Sequence, residues 1–198
     1  TWPVLSERRY GIFNTSICRT SHDFVLMFEI DKPAEEAGRP FTARFLRSPD
    51  LRYWTVTAPE CNYAKDRYTA PHALRWSNGW FYNFFLEAHE GYEMRVVRSR
   101  DLIQWQPSPL NPVLRHSPED KLIANPNLTA MQRTRIENAV NLNNSDLDFC
   151  EFQGRLIMSY SWGNQQGIEH LAAAVYEGTR EQFLEGWFPS SASVTNAP

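Results

Sequence analysis

Arg47-Ser48-Pro49-Asp50-Leu51-Arg52-Tyr53-Trp54 recurs 51 residues later, from Arg98, as Arg98-Ser99-Arg100-Asp101-Leu102-Ile103-Gln104-Trp105. Each copy follows a β-rich stretch, residues 41–46 and 92–97, and each runs from its Trp into turn or proline residues. A third, degenerate copy is Ala174-Val175-Tyr176-Glu177-Gly178-Thr179, followed by Phe183-Leu184-Glu185-Gly186-Trp187. The segments upstream also agree in outline: a short polar-then-apolar stretch, a turn, then a strongly apolar run. The turns are Ser21-His22-Asp23, Ser77-Asn78-Gly79 and Gln153-Gly154. Asn-Gly between apolar runs is the strongest short hairpin signal.

Each unit therefore reads as strand, hairpin, strand, strand and a Trp-bearing edge strand. Four strands in roughly 40–50 residues is the blade of a β-propeller. The expectation is an all-β chain of four-stranded antiparallel blades, about three of them, over residues 14–57, 69–108 and 144–188. The repeated Trp suits packing between blades, as a large ring buried between two sheets. The alternative is a β-sandwich with a chance similarity, which the third copy and the matching hairpins count against. Residues 1–198 read as a single, partial propeller domain with a short helical insertion. In that insertion, residues 107–143, Ser117-Pro118-Glu119-Asp120 opens a helix that stops before Asn125-Pro126. Thr129-Ala130-Met131-Gln132 opens a helix to about residue 140, and Thr179-Arg180-Glu181-Gln182 another ending near Gly186. Residues 31–38 read as a solvated acidic loop.

Composition narrows the function. Of 198 residues, 14% are aromatic and 22% charged, with a net charge of -3. That balance lacks the basic face of a nucleic-acid-binding protein. No run approaches 18 apolar residues, so no transmembrane helix and no membrane partner are expected. The first nine residues lack the layout of a signal peptide, which leaves cytoplasmic and exported locations open. Cys18, Cys61 and Cys150 form no Cys-x-x-Cys pair and read as three small buried apolar residues. The five histidines form no zinc motif, and no phosphate loop, dinucleotide fingerprint or Gly-x-Ser-x-Gly elbow occurs. Sequons at Asn14, Asn127 and Asn143 matter only in a glycosylating compartment.

The innermost strands of a propeller line a central funnel, so chemistry concentrates at their starts. The aligned residues there are Asn14 and Ser16, Thr69 and His72, and Asn144, Asp146 and Asp148. Carboxylates at i and i+2 of a strand face one side. Asp146 and Asp148 would thus serve as an acid/base pair, as hard-oxygen ligands for a bound calcium, or as turn caps. No other cofactor is expected. Glu29 and Glu87 end apolar second strands and need a partner or a wet pocket. Trp162, Asn164, Gln165, Gln166 and Glu169 form an amide-rich, glycine-flanked run suited to stacking and hydroxyl recognition. Arg8 and Arg9 could pair with a carboxylate, with surface placement the plainer reading.

The Ser-x-Asp-Leu-x-x-Trp pieces, the Thr69-Ala70-Pro71-His72 strand and the Asn78-Gly79-Trp80-Phe81-Tyr82 hairpin resemble the five-bladed β-propeller glycosidases, glycoside hydrolase families 43, 32 and 117. The resemblance covers residues 10–188. It implies hydrolysis of a glycosidic bond by carboxylates on separate inner strands, with an oligosaccharide or glycoside as partner. Asp146 matches an inner-strand carboxylate. Glu87 and Asp148 complete the expected catalytic set, with His72, Asn14, Arg9 and the 162–169 run on the substrate. Ser16 and Pro71-His72 stand where an acid is expected in those families. The alternative is a non-catalytic propeller that binds carbohydrate or protein. Five blades of roughly 50 residues need about 250, and Trp2-Pro3-Val4-Leu5 resembles Asn111-Pro112-Val113-Leu114, which follows a blade's last Trp. The expectation is therefore part of a longer propeller, with open sheet edges that invite self-association.

Overall fold

In the computed structural model, which describes residues 9–88 and 91–189, the repeated octapeptide is a side-chain-capped turn. The Trp2–Leu5 segment and Arg8 lie outside the described residues. Asp50 Oδ1 accepts from the N–H of Arg52 and Tyr53 at 2.9 Å each, and Asp101 Oδ1 from Ile103 and Gln104 at 2.8 Å each. Ser48 and Ser99 Oγ accept from the aspartate N–H at 3.3 and 3.2 Å. Short polar side chains thus take over where the ladder ends. The leucine after each aspartate sits at positive φ, 65° for Leu51 and 67° for Leu102.

The N–H groups of Gln104 and Ile103 hold the Asp101 carboxyl below the usual range. Its folded value is the depressed one, so its contribution is complete above roughly pH 4 and is lost as the pH falls through that lower value. Asp101→Ala should cost about 1 kcal/mol at neutral pH in this exposed turn. Urea titrations of both proteins check it, with the difference closing towards pH 2.

Each turn separates the third from the fourth strand of a blade. The first blade orders β1 (Gly11–Arg19), β2 (Phe24–Lys32), β3 (Thr42–Ser48) and β4 (Thr55–Val56) antiparallel, and β5 (Asn62–Tyr63) adds to β3. The second orders β6 (His72–Ser77), β7 (Trp80–Ala88), β8 (Tyr92–Ser99) and β9 (Gln106–Pro107) in the same way. The third has β10 (Asn143–Phe152), β11 (Arg155–Gly163) and β12 (Glu169–Tyr176). A single parallel pair, Asn143 with Tyr92, joins the second and third blades. Asn78 and Gly79 have φ of 47° and 79°, and Gln153 and Gly154 52° and 77°, the paired positive values of tight hairpins.

The third blade departs from the expected pattern. Its fourth strand is replaced by α1 (Arg180–Gly186), so Trp187 caps a helix. The cause is local: Thr179 Oγ1 accepts from Gln182 N–H while the Gln182 side chain returns to Thr179 N–H, a capping box that starts a helix. The inter-blade segment carries a 3-10 turn, Pro118–Lys121, with the expected Pro and acids at its start, and a helix, Ala130–Glu137, with the expected capping box. Residues 31–38 are mostly exposed or half-buried, as expected, but they are not all loop: they hold a one-turn helix, Ala34–Ala37. Glu36 accepts there from Arg9 Nη2 (2.8 Å), Arg44 Nη1 (2.9 Å) and Tyr10 Oη (3.1 Å). Arg44 is buried on β3, and a buried cation requires such a partner.

The core lies between blades. β7 is apolar without alternation because both its faces are covered. Phe81 and Phe85 join Val25, Phe45 and Leu74 on the first-blade side. Tyr82, Phe84 and Leu86 join Phe149, Leu156 and Phe183 on the third. Trp105 sits between blades, stacked on Phe45 at 6.0 Å and donating to Asn62 O at 2.9 Å. Trp54 instead packs on the Phe28, Ile30 and Leu46 cluster of the first blade.

Cys18 and Cys61 are buried, but Cys150 is exposed, against the expectation for all three. It follows Phe149 on β10 and so points to the opposite, uncovered face. Burial pushes the Cys18 thiol up to about 12. One thiol per chain should therefore react rapidly with a disulfide reagent at pH 8, and Cys150→Ser should abolish that fast phase. A fast phase that survives the substitution would contradict the packing. Among the described residues no helix is long and apolar enough to cross a membrane.

Candidate active site

The three innermost strands, β1, β6 and β10, pack beside one another, and one side chain ties them. Arg75 on β6 donates to Ser16 Oγ of β1 at 3.3 Å, to Leu74 O at 2.8 Å, and pairs with Asp148 of β10. Its guanidinium also lies 4.8 Å from the Phe149 ring centroid. Burial lowers the Arg75 pKa. Above this tie the strand starts enclose a cleft of about 160 Å³, lined by Asn14, Ser16, His72, Asp146 and Asp148 among others.

Two of the three strands are bulged at the cleft. The β1–β2 register shifts between Ile12 and Thr15, and the β10–β11 register between Ser145 and Asp148. An extra residue bends a strand and re-aims its side chains. Asp146 sits in the second bulge at a φ of 55°. Its Oδ2 accepts from Ser145 Oγ at 2.7 Å and Ser161 Oγ at 2.6 Å. Those two hydroxyls orient the carboxylate. Asp146 and Asp148 are both exposed, with buried Leu147 between them, so they share a side as expected.

The two aspartates differ in their partners. Asp148 is taken by Arg75 and also accepts from Phe149 N–H at 2.6 Å. Among the described residues Asp146 meets hydroxyls only. Glu87 does not line the cleft: Arg67 Nε at 2.6 Å and Arg95 Nε at 3.3 Å hold it. Among the described residues no group of three or more His, Cys, Asp or Glu could hold a metal ion.

Behind the cleft lies a network that sequence reasoning only touched. Glu29 on β2 is fully buried. Its Oε1 accepts from His72 N–H and Nδ1, both at 2.8 Å, and its Oε2 from Asn14 Nδ2 at 3.0 Å. With Nδ1 donating to the carboxylate, Nε2 is left to accept from Thr69 Oγ1 at 3.0 Å. His72 and Asn14 are thus oriented by one buried acid. Asp120 plays a similar part for the insertion, accepting from Asn141 at 2.7 Å, Asn144 at 3.2 Å and Tyr160 Oη at 2.8 Å. Burial and that bond raise the Tyr160 phenol.

The remaining expected site residues lie elsewhere. Trp162 is 1% exposed, and His170 stacks on it at 4.5 Å, so its ring face is covered rather than open to a sugar. Asn164 Oδ1 accepts from Gln166 and Ile168 N–H, and Glu169 Oε1 from Gln165 N–H. That loop satisfies itself as an Asx turn, away from the inner-strand cleft. Arg9 is an exposed partner of Glu36. Arg75, Ser145 and Ser161 were missed, since each acts only through contacts made by the folded sheet. Arg75 follows buried Leu74 on β6, which marks its side but not its partners.

No family model and no curated protein matches this sequence. Solved structures do match in shape. A glycoside hydrolase aligns with a TM-score of 0.61 at 13% identity, over 96% of this chain and 54% of its own. A family 117 glycoside hydrolase from Zobellia galactanivorans aligns with a TM-score of 0.54 at 13% identity, over 88% and 46%. A family 32 β-fructofuranosidase from Bombyx mori aligns with a TM-score of 0.53 at 16% identity, over 88% and 36%. The chain spans about half or less of the length of these structures. Its blades, its inner-strand cleft and these likenesses agree: the chain has the fold of the β-propeller glycoside hydrolases.

Proposed function

We propose that this chain belongs to an enzyme that hydrolyses a glycosidic bond, with Asp146 as the reacting carboxylate. The observation that supports this is the Asp146 bulge. An acid exposed in a cleft where three inner strands meet is held by two hydroxyls and, among the described residues, by no cation. In this reading Asp146 acts at the glycosidic carbon, either attacking it or removing a proton from the attacking water. A second carboxyl protonates the departing oxygen. Of the acids assigned to that role, Asp148 stands in the cleft beside Arg75, and Glu87 stands outside it between Arg67 and Arg95. Stereochemistry follows from the carboxyl separation, about 5–5.5 Å for retention and about 6.5–9.5 Å for inversion.

One observation favours a second reading. Asp148 and Glu87 are both engaged by arginine, which leaves one carboxylate in the cleft without a cation. A carbohydrate-binding propeller needs no acid pair and fits that count. A screen of aryl glycosides and oligosaccharides against wild type and Asp146→Asn separates the two. Turnover by wild type that is lost in the variant is the expected result. Sugar binding that the variant retains, with no turnover by either protein, would overturn hydrolysis in favour of binding.

A further inference from the structure

Trp162 is buried, and an aromatic cluster outside the sequence motifs begins at the residue next to Asn14, which lines the cleft. Phe13 directly precedes Asn14 within the β1 bulge, and Tyr68 directly precedes Thr69, the partner of His72. Phe41 joins them: its ring lies 4.2 Å from Phe13 and 5.8 Å from Tyr68, edge-on to both. Phe13 and Tyr68 are each 44% exposed. Burial raises the Tyr68 phenol, and the charges of Glu29 and Asp146 add to it, which agrees with a position beside the cleft. Two large rings fixed by a third, half-open beside a polar cleft, offer an apolar surface with hydrogen-bonding groups at one edge.

Charge defines what that surface can take. Around the cleft Asp148 is neutralised by Arg75, and both nitrogens of His72 are occupied by Glu29 and Thr69. Asp146 has no cationic partner among the described residues. A ligand carboxylate there would face another carboxyl group with no free cation among those residues to balance it.

We infer that Phe13 and Tyr68, braced by Phe41, form the platform for the apolar face of an uncharged sugar, and that Asp146 excludes its uronate counterpart. This rests on the saccharide reading above and names the class of sugar. The test is binding, measured by calorimetry on the 198-residue chain without need of turnover. The probes are matched pairs: methyl β-glucoside with methyl β-glucuronide, and methyl β-galactoside with methyl β-galacturonide. Wild type is expected to bind at least one neutral probe about tenfold or more tightly than its uronide. Phe13→Ala and Tyr68→Leu each weaken that binding by about tenfold or more, while Tyr68→Phe retains it. Asp146→Asn narrows the gap between neutral sugar and uronide. Unchanged melting curves for the variants show that the platform, not the fold, was altered. Equal binding by the Ala and Leu variants, preference for the uronide, or no binding of any probe overturns the inference. Binding with this pattern but without hydrolysis would overturn the enzymatic reading and leave the platform standing. Turnover unaffected by the ring substitutions would do the reverse.

Discussion

Asp146→Asn should lower kcat on a cleaved glycoside by about 10²–10⁴-fold, the range for removing a group that transfers a proton in the transition state, and leave thermal unfolding unchanged. The substitution is nearly isosteric. An amide oxygen in the place of Oδ2 still accepts from Ser145 and Ser161, at present 2.7 and 2.6 Å away, so the bulge keeps its side-chain support. What is lost is a group that can take and return a proton or attack carbon. Asp148→Asn provides the contrast. It removes the charge that faces Arg75, a guanidinium that also holds Ser16 and Leu74. Its expected effect is a lower melting temperature together with a loss of rate, since Asp148 is also the acid that stands in the cleft to protonate the departing oxygen. Two aspartates with one residue between them thus give different signatures, rate alone for Asp146 and rate with stability for Asp148. A variant Asp146→Asn that keeps more than a tenth of wild-type kcat would remove Asp146 from the chemistry.

The largest loss of stability is expected from Glu29→Leu. The side chains of Glu29 and His72 are both fully buried. Removing the carboxylate strands the His72 N–H and Nδ1 and frees Asn14 Nδ2. Leaving the two His72 donors without an acceptor costs about 1–3 kcal/mol each. For a chain of this length a total of about 2–6 kcal/mol corresponds to a fall in melting temperature of roughly 4–24 °C. The leucine adds apolar contacts, but no acceptor replaces the one that is gone. Glu29→Gln keeps an acceptor and should lose distinctly less. Urea unfolding of the three proteins measures the differences, and a Glu29→Leu cost below about 1 kcal/mol would show that the network contributes little.

How far the sequence could be read follows from the range of each interaction. The blades were legible because turns and periodicity are local. Asp50 and Asp101 cap neighbours two and three residues away, and Asn78-Gly79 needs no distant partner to set its φ values. The capping boxes at Thr129 and Thr179 were legible for the same reason. The site was legible only in part. Asp146 and Asp148 could be placed on one side of an inner strand by a period of two. Their different partners could not, because Arg75 lies 73 residues from Asp148 and reaches it only across assembled strands. Glu29 and His72 are 43 residues apart and meet for the same reason. Trp162 misled because an indole beside glycine and amides reads as open, whereas the pairing of Trp162 with His170 across β11 and β12 covers it. Length misread Glu36, since a short acidic stretch reads as solvated until a buried arginine is seen to require it.

The bulge at Asp146 has a further meaning for how such a site changes over time. Between Ser145 and Asp148 the strand advances three residues while its neighbour, from Ser161 to Ser159, advances two. Removing Asp146 would close the ladder, with Leu147 opposite Tyr160 and Asp148 still opposite Ser159, so every later side chain of β10 keeps its partner and its face. The sheet does not need the extra residue; the cleft is what it shapes. A single-codon deletion at this point would erase the carboxylate and spare the blade, so this site can be lost by shortening the strand as readily as by substitution.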